Sequence, residues 1–286
     1  MSSEPGSTVT TTWLRVNGLR IRCLTAGSDG PPVLLLHGGG IDAADFSYKH
    51  AIGPLSRTCR VFAPDLPGYG GSDGPDRYTL DFYAGFLGCL MDALGLERAS
   101  PVGLSLGGGA ALGFALRSPE RVDRLVLVDS YGLGSDVPWG RLGYLLVRAP
   151  LVNDLSYALL RRSRRVVRWS LYNVVHDRDV VDDTMVEEAY RLVNRAGAGR
   201  AFRSFQRNEV GWGGLRTSYL DRLREVSAPT LIVHGANDEA VPVAWAQRTN
   251  ELITGSELRV IPGCGHWPPR ERPEEFNRIV EEFLAR

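Results

Sequence analysis

Short apolar runs alternate with amphipathic stretches along the first half of the chain, and the same alternation returns near its end. The amphipathic stretches repeat their apolar residues every three to four positions, which predicts helices. The apolar runs are too short for helices and are typical of strands buried on both faces of a parallel sheet. The predicted strands are 33–36, 61–63, 101–104, 125–128, 230–233 and 258–261, and the predicted helices around them are 43–55, 80–94, 106–116 and 273–284.

This alternation predicts an α/β protein with a mostly parallel, doubly wound sheet. Two further segments, 12–16 and 20–25, flank the dipeptide Asn17-Gly18. Because Asn-Gly favours the tight turn of a hairpin, we expect an antiparallel pair of strands before the parallel ones.

The alternation stops between residues 131 and 216, where no strand signal remains and helical periodicity continues. We interpret this segment as a helical cap inserted over the carboxyl ends of the strands, the edge at which open α/β sheets bind ligands. The expected domains are therefore a core of 1–130 with 217–286 and a cap of 131–216. The predicted cap helices are 139–148, 151–160, 164–175, 182–195 and 200–206.

The pentapeptide Gly103-Leu104-Ser105-Leu106-Gly107 follows a predicted strand and precedes a predicted helix. A serine between two glycines in this context is typical of a nucleophile elbow, whose tight turn needs small flanking residues and projects the hydroxyl. The alternative is a glycine-packed turn in which the serine only caps the helix. A catalytic serine needs a base and an acid, and the sequence offers candidates for both, which favours catalysis by Ser105.

A serine hydroxyl needs a base, and the base needs an acid to orient it. His266 follows the last predicted strand and Asp238 follows the strand before it, so both belong to the sheet edge that carries Ser105. The order Ser105, Asp238, His266 is the order of an α/β-hydrolase triad. Asp129, at the end of the strand after the elbow, is the competing acid.

The tetrapeptide His37-Gly38-Gly39-Gly40 follows the strand 33–36. Glycines allow backbone amides to approach a substrate oxygen, and the amides of Gly39 and Leu106 are expected to form an oxyanion hole. Without the elbow, the same glycines would indicate only a flexible turn. His37 is expected to orient this loop rather than to act as a base.

Composition narrows the functional classes. Lys and Arg together number 33, as do Asp and Glu, so the net charge is zero, which argues against binding to nucleic acid or to a membrane surface. The four cysteines lack metal-ligand spacing, and the polar start lacks a signal peptide. We therefore expect a cytoplasmic protein with a small-molecule substrate, no cofactor and no metal; a homodimer is compatible with the sequence.

These motifs, together with Pro64-Asp65-Leu66-Pro67-Gly68-Tyr69-Gly70-Gly71-Ser72, resemble the α/β-hydrolase superfamily. The resemblance runs from Thr12 to Arg286 and implies a serine hydrolase with the α/β-hydrolase fold. Within the superfamily, Gly265-His266-Trp267 and the tail after it are similar to the meta-cleavage-product hydrolases, which cut a carbon–carbon bond in vinylogous diketo acids. The implied pocket residues are Gly38, Gly40, Leu104 and Trp267.

This sequence departs from that group at two positions that bear on the expected substrate. Leu104 stands where the group usually has Asn, and Ala189 stands near the place of its carboxylate-binding arginine. A site that lacks a charged partner discriminates strongly against its usual ligand. The expected function is therefore hydrolysis of a carboxylic ester or lactone of a medium-sized hydrophobic substrate, and the alternative is carbon–carbon hydrolysis. A haloperoxidase-like perhydrolase and a non-catalytic binding protein remain as lesser alternatives.

Overall fold

An eight-stranded sheet lies at the centre of the computed structural model, which describes residues 8–136 and 140–286. In chain order the strands are β1 Thr10–Val16, β2 Leu19–Ala26, β3 Pro32–Leu36, β4 Arg60–Pro64, β5 Ser100–Leu104, β6 Leu125–Val128, β7 Val210–Gly211, β8 Gly214–Leu215, β9 Thr230–Gly235 and β10 Glu257–Ile261. The strand order in the sheet is β1-β2-β4-β3-β5-β6-β9-β10, in which β2 runs antiparallel to β1 and to β4 and the others are parallel. The predicted hairpin and mainly parallel sheet are therefore confirmed.

The helices fall into two groups. Seven accompany the sheet: α1 Ala44–Ser47, α2 Ile52–Leu55, α3 Leu80–Ala93, α4 Leu106–Arg117, α10 Val243–Leu252, α11 Pro268–Glu271 and α12 Pro273–Leu284. Five lie in the segment between β6 and β9, which we call the helical insertion: α5 Gly140–Arg148, α6 Pro150–Arg162, α7 Arg164–Leu171, α8 Asp183–Val193 and α9 Arg200–Glu209. The fold is thus the α/β-hydrolase fold that the motifs imply.

The central strands are buried on both faces of the sheet. Successive side chains of a strand point to opposite faces, so one strand contributes to two apolar clusters. On β3, Val33 and Leu35 belong to one apolar cluster, and Leu34 and Leu36 belong to the other; all four are fully buried. The first cluster continues into α7 and α8 of the helical insertion, so the insertion shares a core with the sheet.

The predicted helix over 43–55 is wrong as a single element, because it is divided into α1 and α2. Pro54 is the physical reason: in a continuous helix its ring would clash with the carbonyl of His50, and its missing N–H would leave that carbonyl without a partner. In the structure the His50 carbonyl accepts a hydrogen bond from Asn277 Nδ2 of α12, at 2.7 Å. Tyr48, between the two helices, donates its hydroxyl to carbonyls of β3 and β5.

The helical insertion differs from its prediction in two places. The third predicted helix, 164–175, ends at Leu171, and the short hairpin of β7 and β8 carried no strand signal in the sequence. Two-residue strands are too short for any alternation to be visible. The predicted start of the first insertion helix, Trp139, lies outside the described residues.

The turn between β5 and α4 depends on close backbone packing. A Cβ on Gly107 would overlap the carbonyl oxygen of Leu36 and lie 2.6 Å from that of His37, so α4 crosses β3 at a distance that only glycine permits. Gly85 on the exposed face of α3 is a matched contrast, since its Cβ would come no nearer than 3.6 Å, to Arg117 Nη1.

We expect Gly107→Ala to lower the free energy of unfolding by about 1–3 kcal/mol, because carbonyl oxygens on β3 cannot move aside. Gly85→Ala should instead raise it by about 0.5–1 kcal/mol, the usual gain from alanine in a helix interior. Urea denaturation of both variants measures the two effects. Equal stability of the two variants would contradict this account of the turn.

Candidate active site

Ser105 lies at the turn between β5 and α4 with φ 50° and ψ −114°, a backbone conformation that non-glycine residues rarely adopt. Its N–H donates to the carbonyl of Val128 (2.9 Å), and its carbonyl accepts the N–H groups of Gly109 and Tyr131 (3.0 Å each). These bonds to two neighbouring elements hold the strained residue in place. Ser105 is partly exposed while its neighbours Leu104 and Leu106 are buried, as expected for a nucleophile elbow.

His266 and Asp238 are in direct contact. His266 Nδ1 lies 2.7 Å from Asp238 Oδ2, and the other oxygen, Oδ1, accepts the N–H groups of Ala240 (2.7 Å) and Val241 (3.0 Å). Burial alone would raise the pKa of Asp238, but the charge and hydrogen bond of His266 outweigh it and lower the pKa below its ordinary value. An ionised Asp238 therefore accepts from Nδ1–H and leaves Nε2 of His266 as the basic nitrogen.

The Ser105 hydroxyl forms no hydrogen bond to His266 in the described structure. Such bonds are often long in hydrolases without a substrate and shorten when one binds. Of the predicted triad, the structure brings His266 and Asp238 into contact, and Ser105 lies at the same edge of the sheet.

Asp129, the competing acid, does not contact His266. Its Oδ1 accepts the Gly235 N–H at 2.9 Å and lies 3.4 Å from His234 Nδ1, and its Oδ2 has no partner among the described residues. Burial, reinforced by the negative charge of Asp238, holds the pKa of Asp129 well above its ordinary value. The pKa values of the two acids are therefore shifted apart, and the charged form is favoured at Asp238.

Asp129, His234 and Asp238 also form a buried group whose ligand atoms lie within 4.8 Å of one another, close enough to surround a metal ion. Two properties argue against that use. Asp129 holds its proton, and the oxygens of Asp238 are occupied by His266 and by two backbone amides. Metal ligands must be deprotonated and available. The group is better described as two acids whose pKa values are shifted in opposite directions, beside a buried histidine whose pKa is lowered by burial.

The loop after β3 holds the predicted oxyanion donors. A Cβ on Gly38 would lie 3.5 Å from Ser105 Cβ, so this loop borders the serine. Leu106 is the first residue of α4, where the N–H has no partner within the helix. Among the described residues, neither the Gly39 N–H nor the Leu106 N–H donates to a protein acceptor. Both amides are therefore available for a substrate oxygen, and their role as an oxyanion hole stays a prediction.

His37 has both ring nitrogens occupied. Nδ1 lies 2.8 Å from the Gly38 carbonyl, and Nε2 lies 2.9 Å from the Leu66 N–H that donates to it. An accepting Nε2 requires the proton on Nδ1, so His37 is a neutral, fully buried histidine without a free basic nitrogen. Its contacts fix the start of the glycine loop, in agreement with the orienting role expected from the sequence.

A polar network behind the glycine loop was missed by sequence reasoning. Asp42 accepts the Gly38 N–H at 2.8 Å and the Ser47 hydroxyl at 2.7 Å, and Ser47 in turn accepts Nε1–H of Trp267 at 2.9 Å. The network joins the oxyanion loop to the residue after His266. Trp267 was predicted to line the pocket, and the structure buries it against Phe46, with ring centroids 5.0 Å apart.

A second missed residue, Glu271, fixes the His266 loop to the helical insertion. Its buried carboxylate accepts the N–H of Gly265, next to His266, and the N–H groups of His176 (2.5 Å) and Asp177 (3.2 Å) from the insertion. The N–H of His266 itself donates to the Val174 carbonyl at 2.8 Å. The only sequence signal was a glutamate shortly after the histidine loop, which by itself indicates nothing.

A cleft separates the glycine loop from the helical insertion. Of the predicted pocket residues Gly38, Gly40, Leu104 and Trp267, only Gly40 is among its lining residues. The insertion contributes Tyr157 and Arg195, and the exposed Arg195 has no ion-pair partner among the described residues. The lining residues are Gly40, Ile41, Asp42, Gly68, Tyr69, Gly70, Ser72, Tyr157, Leu192, Val193, Arg195, Ala196, Ala198 and Gly199.

Comparison with known proteins identifies this arrangement. The family model described as the alpha/beta hydrolase fold matches residues 31–273, which is most of the chain and includes Ser105, Asp238 and His266. The chain belongs to this family. The superfamily resemblance drawn from the motifs is therefore confirmed, and the protein is a hydrolase.

Three relatives resemble this hydrolase over most of its length. The 2-hydroxy-6-oxo-2,4-heptadienoate hydrolase of Pseudomonas putida is 35% identical over 266 residues, which cover 90% of each chain. The 2-hydroxymuconate semialdehyde hydrolase of a Pseudomonas species is 31% identical and covers 94% of this chain and 91% of its own. The solved structure of a meta-cleavage product hydrolase from Pseudomonas fluorescens has a TM-score of 0.82 at 32% identity, over 96% of this chain and 97% of that one.

These names agree better with the alternative function, carbon–carbon hydrolysis, than with the ester or lactone function expected first. The hydrolases of this family act on small molecules, which agrees with the predicted substrate class. Within residues 8–136 and 140–286, no helix has the length and apolar character needed to cross a membrane.

Substitutions can show whether Asp238 or Asp129 is the acid that orients His266. Asp238→Asn should reduce hydrolysis of a p-nitrophenyl ester by about 10⁴-fold, because the amide favours the wrong histidine tautomer. Asp129→Asn preserves the acceptor for Gly235 and should leave hydrolysis within a few-fold of the wild type. Steady-state rates of both variants decide the assignment, and the reverse pattern would make Asp129 the triad acid.

Asp129→Asn should also change the dependence of stability on pH. Because the native pKa of Asp129 lies above its unfolded value, the stability that its protonated form contributes is present at low pH and lost as pH rises through the native pKa. The variant has no proton to lose there, so its stability relative to the wild type should increase with pH. Urea unfolding between pH 5 and pH 9 measures this difference, and a constant difference would contradict the raised pKa.

Glu271→Gln should lower kcat by about tenfold, as outer-shell substitutions at catalytic sites commonly do, because the neutral amide cannot accept three N–H groups around the His266 loop. We expect KM to change less than kcat, and the pH profile of kcat to shift with the environment of His266. The exposed Glu274 of α12 provides the control Glu274→Gln. A uniform loss of folded protein with unchanged kcat per folded molecule would contradict a positioning role.

Proposed function

We propose that this hydrolase cleaves the carbon–carbon bond of a meta-cleavage product, a 2-hydroxy-6-oxo-hexa-2,4-dienoate with a small group on C6. The observation that carries the proposal is the bonded Asp238–His266 pair beside an elbow serine, in a chain that matches hydrolases of such compounds over nine tenths of its length. Ser105, Asp238 and His266 are the proposed triad. The helical insertion, with 131–216 as its proposed bounds, acts as a cap.

The chemistry requires His266 to act before the bond breaks. A carbanion is a poor leaving group, so the dienol must first become a ketone. The proton of the 2-hydroxyl is transferred to C5, the C2–C3 and C4–C5 double bonds are replaced by one C3–C4 double bond, and C2 becomes a carbonyl. The C5–C6 pair of electrons can then flow to the C2 carbonyl oxygen as a dienolate. Nε2 of His266, made basic by the ionised Asp238, is the group that transfers the proton.

Cleavage then follows the acyl-transfer route. His266 takes the proton of Ser105 as the oxygen attacks the C6 carbonyl, and the Gly39 and Leu106 amides bind the resulting oxyanion. The C5–C6 bond breaks, the dienolate receives the proton from His266, and the acyl group remains on Ser105. Water, deprotonated by the same histidine, releases the carboxylic acid. A C6-methyl substrate yields acetate and 2-hydroxypenta-2,4-dienoate.

In this proposal, the substrate carboxylate binds in the cleft between the glycine loop and the helical insertion. Ala189, near the expected place of an arginine, is fully buried in the apolar core, and Arg191 is exposed and pairs with Glu187 at 3.4 Å. Arg195 instead borders the cleft together with the glycine loop. A guanidinium in this position suits a carboxylate.

Ester hydrolysis is the second candidate. The observation that favours it is the apolar character of Leu104 and Ala189, both buried, at places where a dienoate-specific site would hold polar partners. A pocket with few polar anchors suits a hydrophobic acyl group. The cytoplasmic location and the homodimer stay predictions.

The test compares the wild type with Ser105→Ala on 2-hydroxy-6-oxohepta-2,4-dienoate and on a series of p-nitrophenyl esters. We expect kcat/KM for the dienoate to exceed that for the esters by roughly 100-fold, a ratio that differential transition-state binding readily supplies. Acetate and 2-hydroxypenta-2,4-dienoate should appear in equal amounts, and Ser105→Ala should abolish both. Ester turnover with an inert dienoate would reject the proposal and favour the second candidate.

A further inference from the structure

The hydroxyl of Tyr69 is buried without a partner. Tyr69 lies in the loop after β4, is 6% exposed, and has no hydrogen-bond partner for its hydroxyl among the described residues. Two other buried tyrosines show the usual arrangement: Tyr48 donates to the carbonyls of Leu36 and Val102, and Tyr83 donates to that of Pro67, all at 3.1 Å. A buried hydroxyl without a partner costs free energy, so its position calls for an explanation.

This hydroxyl points to the oxyanion loop. It lies 3.6 Å from the position that a Cβ on Gly39 would occupy, and the Tyr69 ring packs edge-on against His37 with centroids 5.2 Å apart. Tyr69 also lines the cleft beside Gly40 and Asp42. A substrate bound along the glycine loop would therefore meet this hydroxyl next to the Gly39 amide.

The loop holds the phenol firmly. The Tyr69 N–H donates to the Leu66 carbonyl and its carbonyl accepts the Ser72 N–H, both at 2.9 Å. The glycines on either side, Gly68 and Gly70, have φ of 85° and 45°, so the chain turns sharply on both sides of the tyrosine. The donor is therefore preorganised, as groups that stabilise a transition state must be.

The protonation of the Tyr69 phenol also suits a hydrogen-bond donor. Burial, reinforced by the phenol of Tyr157 and the carboxylate of Asp42, raises the pKa of Tyr69 well above its ordinary value. The hydroxyl therefore keeps its proton to higher pH than an exposed tyrosine does, and it offers its hydrogen to an acceptor.

We propose that the Tyr69 hydroxyl is a third donor of the oxyanion hole, giving a hydrogen bond to the substrate oxygen that the Gly39 amide also binds. The inference rests on the proposed function for the identity of the substrate, but the donor serves any acyl substrate of Ser105. The bond strengthens as the carbonyl oxygen becomes negative, so it contributes to kcat more than to binding.

The test substitutes Tyr69→Phe, which keeps the ring against His37 and removes only the hydroxyl. We expect kcat to fall by about 10- to 100-fold, the scale of a lost oxyanion donor, with little change in KM. The melting temperature should be unchanged or higher, because no hydrogen bond within the protein is lost. Tyr48→Phe is the matched control: it removes a buried hydroxyl that donates to the carbonyls of Leu36 and Val102, so it should lower the melting temperature and leave kcat near that of the wild type.

Three reactions separate this inference from the proposed function: turnover of the heptadienoate, turnover of a p-nitrophenyl ester, and the rate at which a fluorophosphonate labels Ser105. The phosphoryl oxygen of the probe occupies the oxyanion hole, so labelling of Tyr69→Phe should be slowed whatever the natural substrate is. An inert dienoate with slowed ester turnover and labelling would reject the proposed function and support the third donor. Rates for Tyr69→Phe within twofold of the wild type in all three reactions would overturn it.

Two further outcomes would also overturn the third donor. A rise in KM with unchanged kcat would place the hydroxyl on an oxygen that carries no developing charge. An equal loss of kcat in Tyr48→Phe would show that the loss follows from removing any buried hydroxyl beside the sheet, and not from removing an oxyanion donor.

Discussion

Close contact between two stretches of backbone, the end of β3 and the start of α4, is the constraint on which the site depends. Gly107 allows α4 to lie directly on the carbonyl groups of Leu36 and His37, and Ser105 is held in a strained conformation as a result. The same contact brings the glycine loop beside the serine, at the start of the helix. One packing contact therefore positions both the proposed nucleophile and the proposed oxyanion donors.

Burial then decides how charge is distributed among the acids near the histidine. Asp129 and Asp238 occupy the ends of neighbouring strands, and two carboxylates in so small a volume cannot both ionise easily. Asp238 receives two backbone N–H groups and His266, so the charge lies there, while Asp129 retains its proton. The geometry of hydrogen bonding, rather than the type of residue, separates the roles of the two acids.

The helical insertion is part of the site and not only a cover over it. Phe202 of α9 packs on Gly39, and a Cβ there would lie 2.9 Å from its ring. Glu188 of α8 pairs with Lys49 and with Arg270 of the core, and Glu271 joins the His266 loop to the segment after α7. A displacement of the insertion would therefore disturb both the glycine loop and the His266 loop.

The sequence by itself determined the main strands, their mostly parallel arrangement, the elbow motif, and Ser105, Asp238 and His266 as candidates. These features are local: each depends on a few consecutive residues, and parallel strands bring their carboxyl ends to one edge without further information. Pro54 is also visible in the sequence. Its effect on the predicted helix over 43–55 depends on the folded chain, in which Asn277 donates a hydrogen bond to the His50 carbonyl.

Only the tertiary structure decided which polar residues meet inside the protein. Ser47 and Trp267 are 220 positions apart, and no local pattern relates them or relates Glu271 to the insertion. The protonation state of Asp129 and the unpartnered hydroxyl of Tyr69 likewise depend on burial among distant segments. Hydrogen bonding and desolvation depend on which distant segments surround a group, so only the tertiary structure determines them.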